Sequence, residues 1–142
     1  MRALLDINVL LALMDNDHIH HRRALAWWRS ERKDGWASCP ITQNGFVRIL
    51  SQQTYPGHLT PAQAIEQLRL QLAESTHEFW PDDISIADDR LFDRTQILGP
   101  KQLTDVYLLV LAIKHGGRLV TFDRSVPIAA ARGLQPGHLV VM

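Results

Sequence analysis

Arg118-Leu119-Val120-Thr121-Phe122-Asp123 is the stretch on which the fold turns: a short apolar run of strand-forming residues, closed at once by an acid. The chain opens on the same design, with Ala3-Leu4-Leu5 running straight into Asp6. Between such runs lie longer segments with helical periodicity. That alternation predicts an α/β sandwich around a mainly parallel sheet. In open parallel sheets, ligands bind just beyond the carboxyl ends of the strands, at the crevice where strand order reverses. Asp6 and Asp123 both occupy a place of that kind.

Working outward, strands are expected at residues 3–5, 36–39, 77–81, 118–122 and 138–141, with Pro40 closing the second and Pro81 the third. Helices are expected at 8–14, at 20–33 with Ala24, Ala26, Trp27 and Trp28 on the apolar side, and at 42–50. Thr60-Pro61-Ala62-Gln63 is a capping box with proline at the first helical position, and Ile65, Leu68 and Leu72 mark the buried stripe of the helix that follows. Thr104 is read as the cap of another helix, in which Val106, Leu109, Val110 and Ile113 recur at helical spacing before Lys114, His115 and Gly116 stop it. The acidic segment 82–99 is expected to hold one helix and a loop, and 127–132 a helix stopped by Gly133.

The 142 residues show no repeat and no linker, which predicts one domain over 1–142. Apolar residues make up 46% and charged residues 21%, an ordinary globular composition. Net charge is zero, which argues against coating nucleic acid through bulk charge but allows a local basic face. Cys39 is the only cysteine, so no internal disulfide forms. The first apolar run is broken by Asp6 and Asn8, too short for a membrane span and without a signal-peptide cleavage site, so the protein is expected in the cytoplasm.

Asp105, at the first turn of its helix, would join Asp6 and Asp123 if that helix starts at the same sheet edge. Three converging carboxylates repel one another unless some protonate or a cation neutralises them. Hard oxygen ligands suit Mg2+ or Mn2+, and no Cys/His set competes. His18, His20 and His21 fit surface positions at a helix start better than a metal site. Arg22, Arg29 and Lys33 share a helix face that could meet phosphates. Arg48 could bind a phosphate or make a structural ion pair. One acid among Asp82, Asp83, Asp88, Asp89 and Asp93 could add charge to the site. Trp27, Trp28, Trp36 and Trp80 read as core or interface.

Leu-Leu-Asp-Ile-Asn-Val at the start, Cys-Pro-Ile-Thr-Gln-Asn-Gly-Phe-Val-Arg-Ile-Leu in the middle, and later Leu-Thr-Asp-Val-Tyr-Leu-Leu-Val-Leu-Ala and Leu-Val-Thr-Phe-Asp-Arg resemble the PIN-domain nucleases, and among them the VapC toxins of toxin–antitoxin pairs. The resemblance covers nearly the whole chain. It implies a three-layer α/β/α sandwich and a Mg2+- or Mn2+-dependent endoribonuclease acting on RNA, with transfer RNA the usual substrate. By position, Asp6, Asp105 and Asp123 would bind the metal, and Asn8 would orient Asp6 or a water. It further implies a homodimer and a cognate VapB-type antitoxin whose tail enters the active-site groove.

One departure matters: the family commonly has glutamate where this chain has Gln43. Glutamine keeps the shape and a carbonyl ligand but removes a charge, so metal affinity should fall or a second metal should be lost. Gln43 is then expected to line the site as a neutral ligand or to position water. A haloacid-type phosphatase would need an Asp at position 8, where this chain has Asn8, and a phosphoreceiver domain an acidic pair near the first strand and a late lysine, neither of which is clear here. The remaining rival is a PIN-like RNA- or antitoxin-binding module whose catalysis is weakened by Gln43.

Overall fold

A computed structural model describes residues 1–142. Five strands, β1 (Ala3–Leu5), β2 (Trp36–Ser38), β3 (His77–Phe79), β4 (Arg118–Thr121) and β5 (Leu139–Val141), form one wholly parallel sheet in the order β3-β2-β1-β4-β5. The chain enters at the centre, works outward through β2 to β3, then returns to the other side of β1 as β4. Strand order therefore reverses between β1 and β4, where Leu5 pairs with Val120. That junction is the crevice the sequence points to.

Side chains alternate across the sheet. Ala3, Leu5, Trp36 and Val120 face one core with Val9, Leu10, Phe46, Ala64 and Leu68, contributed by α1 (Ile7–Met14), α3 (Pro40–Leu50) and α4 (Pro61–Leu72). Leu4, Ala37 and Leu119 face the other core, against Val106, Leu109 and Val110 of α5 (Leu103–Lys114). α2 (His21–Glu31) packs outside α1 through the buried Ala24. The result is the expected three-layer sandwich. Trp36 and Trp80 lie in these cores, while Trp27 and Trp28 are half-buried at the surface. No helix is long and apolar enough to cross a membrane.

Local signals carry much of this. The Thr60–Gln63 capping box forms in both directions, at 2.9 and 3.2 Å. α5 ends in a Schellman turn: Gly116, with φ +70°, donates to Ile113, and Gly117 donates to Ala112 at 2.8 Å. Pro40 opens α3 instead of merely ending β2, because the first helical position needs no N–H. α1 likewise begins earlier than expected, at Ile7, with Asp6 as its cap.

Several expectations fail for identifiable reasons. Segment 82–99 forms no α-helix, only a 3-10 turn at Arg94–Gln96. Its Ser85, Asp88 and Asp93 side chains bond the backbone two residues on, a local alternative to the helix ladder. Residues 127–132 give only the 3-10 turn Ile128–Ala130, because Ala130 and Arg132 pair their backbones with Asp93 and Leu91. In α4 the buried stripe runs through Ala64 and Leu68, and Ile65 is 54% exposed; small Ala64 lets α4 approach α3. Ala26 is exposed, and Leu25 takes its place on the packed side. α5 begins at Leu103, continuing a 3-10 turn (Pro100–Gln102), so Thr104 lies within the first turn and is not its cap.

Candidate active site

Asp6 is only 6% exposed because the strand that precedes it is buried on both faces. Its Oδ1 accepts from the Ile7 N–H at 2.7 Å, which starts α1, and its Oδ2 accepts from the Thr121 hydroxyl at 2.7 Å. Thr121 Oγ1 accepts in turn from Asn8 Nδ2 at 3.2 Å and from the Asp123 N–H at 3.0 Å. One proton and two lone pairs are thereby all spent. A single buried hydroxyl joins the ends of β1 and β4.

Asn8 completes the join, since its Oδ1 accepts from the Phe122 N–H at 3.3 Å. The amide thus bonds Thr121 in β4 and Phe122 just after it, and reaches Asp6 only by way of the Thr121 hydroxyl. Asp123 Oδ1 is held by the Ser125 N–H and hydroxyl at 2.7 and 2.6 Å. These bonds to Ser125, hydroxyl first, keep the Asp123 carboxyl below the usual carboxylate range.

Asp105 reaches the same place from the first turn of α5. Burial, then the charge of Asp6 and the closeness of Asp123, push its carboxyl up to about 7. Burial is also the main cause that raises Asp6, against the bonds from Thr121 and Ile7. Sheet and helix thus bring the three aspartates within electrostatic reach, and no lysine, arginine or histidine forms an ion pair with any of them. They do not close into a ready cage: no three His, Cys, Asp or Glu side chains stand at metal-ligand spacing.

Gln43 is elsewhere. Its Nε2 donates to Ser38 Oγ at 3.0 Å, and Ser38 is hydrogen-bonded to His77 Nε2 at 2.8 Å. By the alternation along β2, Ser38 shares the face of Trp36 under α3 and α4, while Thr121 shares the face of Leu119 under α5. No hydrogen bond links Gln43 to the three aspartates. Arg48, exposed and without an ion pair, lines a groove of about 300 Å³ with Ile7, Asn44, Gly45, Asp82 and Thr104. Asp82 is the member of the acidic stretch that reaches this groove; burial and Asp83 raise its carboxyl. Arg22 and Arg29 are exposed on α2 and free of ion pairs. His21 is used locally, its Nδ1 donating to the Ala12 carbonyl at 2.7 Å.

The PIN-domain family profile matches residues 3–132. Ribonuclease VapC44 of Mycobacterium tuberculosis is 51% identical over 142 residues, the whole of both chains. The chain is a VapC-type PIN-domain protein. Ribonuclease VapC39 of the same organism is 42% identical over 135 residues, covering 94% of this chain and 97% of the relative. Two solved structures share the fold at a TM-score of 0.59. VapBC2 from Rickettsia felis, bound to a DNA fragment from its promoter, is 16% identical and is matched over 100% of this chain and 99% of that one. VapC20 of M. tuberculosis, a sarcin–ricin loop cleaving toxin, is 12% identical, over 94% and 99%.

Within this VapC-type site, the sequence does not single out Thr121, Asn44 or the placement of Thr104. Thr121 did leave a signal: it is a hydroxyl in an otherwise apolar buried strand, two residues before an acid. Asn44 and Thr104 left none, since each is an ordinary polar residue in the first turns of a helix.

Proposed function

We propose that this VapC-type chain is the toxin of a toxin–antitoxin pair, an endoribonuclease that hydrolyses RNA phosphodiester bonds with Mg2+ or Mn2+ held by Asp6, Asp105 and Asp123. The observation that carries this is the meeting of three aspartates at the β1–β4 switch point with no cationic side chain to neutralise them. The donor set fits a hard divalent ion: all carboxylate oxygen, with the Asp105 carboxyl raised to about 7 by burial and by the neighbouring Asp6 and Asp123. A cation bound there would acidify water and neutralise charge gathering on the phosphate.

The chain's own residues supply the rest. Thr121 fixes the rotamer of Asp6, and Ser125 fixes that of Asp123. Asp105, in the first turn of α5, completes the carboxylate set beside Asp6 and Asp123. Arg48, unpaired in the groove, is placed for the phosphate beside the scissile one, and Arg22 and Arg29 for more distant phosphates. With zero net charge, general affinity for RNA is modest, and a folded substrate such as transfer RNA is selected by shape. The VapBC2 relative supports a VapB-type antitoxin as partner. A homodimer and a cytoplasmic setting follow from the same kinship.

The test is to incubate the purified protein with transfer RNA and other structured RNAs in manganese, beside Asp6→Ala. Cleavage that needs both the metal and Asp6 is expected. Absence of cleavage by both proteins across a broad RNA set would leave a silent PIN-like binding module.

A further inference from the structure

Beside the acids, on the α2 side, stands a column of flat side chains. His20 and Phe122 stack with ring centroids 4.7 Å apart and planes 24° from parallel. Arg23 lies over the Phe122 ring at 5.7 Å, and His18 adjoins His20 at 5.7 Å. We propose that His20, Phe122 and Arg23 seat one unpaired nucleobase of the RNA on the Asp123 side of the cut, a specificity that rests on the ribonuclease function above.

Position argues for it. Phe122 sits between Thr121, which holds Asp6, and Asp123, and its N–H is fixed by Asn8. Its ring leaves β4 on the face opposite Thr121, toward α1 and α2. The acids therefore lie between two flanks, the Arg48 groove beyond β2 and this column beyond β4. A strand crossing the acids would meet a guanidinium on one side and a stacking surface on the other.

The column is also not needed by the helix it begins. His20 stands at the cap of α2, where Ser, Thr, Asp or Asn is preferred, and makes no side-chain cap bond. That turn is already tied down by His21 on Ala12. His20 and Phe122 are half-buried, Arg23 is exposed, and Ile19 between the two imidazoles is 88% exposed, so part of the column stays open to solvent. Every base has a π face, and rings and guanidinium planes are the side chains on which unpaired bases stack. In a protein of zero net charge, stacking supplies affinity that bulk electrostatics does not.

The probe is a single-stranded RNA hexamer carrying one 2-aminopurine, titrated with the full chain in EDTA so that nothing is cut. Wild type should quench the probe, His20→Ala should bind about tenfold more weakly with the quench lost, and His20→Tyr should restore both. Thermal melting checks that each variant is folded. Wild type that fails to bind the hexamer, that binds without quenching, or that binds no better than a folded His20→Ala variant overturns the base seat. Manganese-dependent cleavage of transfer RNA by wild type is scored separately. Cleavage without quenching removes the seat and keeps the nuclease, whereas quenching without cleavage keeps the seat and removes the nuclease.

Discussion

The end of β2 and the paired ends of β1 and β4 lie along one edge of the sheet but are built on opposite terms. At β1 and β4, carboxylates gather around one hydroxyl and lack countercharge. At β2 the place is neutral, and Gln43 and His77 both hydrogen-bond the Ser38 hydroxyl. The difference shows that a motif's count of acids says less than the partners its oxygens already have. Glutamine at position 43 bonds Ser38 under α3, while the three uncompensated carboxylates stand at the switch point.

The comparison is broken most forcefully at Thr121. Thr121→Val leaves Asp6 Oδ2 and the Asp123 N–H without their partner in a buried setting. A loss of about 1–3 kcal/mol in denaturant stability is expected. Manganese affinity, measured by calorimetry, should fall about 10- to 100-fold, as when a residue that orients a metal ligand is removed. No change in either would mean that the hydroxyl does not knit the two strand ends.

Asp105 gives the next effect, through pH. Its carboxyl rises from 3.8 to about 7 on folding, so across that window the folded chain holds a proton the unfolded chain has lost. The stability this group contributes is full at acid pH and falls as pH climbs through about 7. Manganese competes with that proton. The melting temperature should therefore rise more on adding manganese at about pH 8 than at about pH 6, and Asp105→Asn should flatten the difference. Equal shifts at both pH values would detach Asp105 from the cation.

The smallest effect belongs to the β2 side. Gln43→Glu removes the amide that donates to Ser38, and since position 43 has no bond to the three aspartates it should change manganese affinity less than Thr121→Val does. A tightening of tenfold or more would return position 43 to the metal's surroundings.

The sequence made the parallel sheet, the acids at two strand ends and the Thr60 capping box legible, because each rests on local rules of periodicity, capping and turn chemistry. It misled at 82–99, where Ser and Asp side chains compete with the helix for the backbone. It misled again at Ile65, where tertiary approach of α3 chose Ala64 for the buried face. Asp105 needed the family resemblance, since an acid in a first helical turn is commonplace, and only packing of α5 on β1 and β4 brings it to Asp6. Where Gln43 turns was not readable at all, because its partners, Ser38 and His77, come from two different strands.

The most direct measurement is an anomalous difference map from crystals of the wild-type protein soaked in manganese. A peak at direct ligand distance from carboxylate oxygens of Asp6, Asp105 and Asp123, with Gln43 still bonded to Ser38, is the expected result. A peak held by other residues, or none at saturating manganese, would contradict a cation site built from these three aspartates.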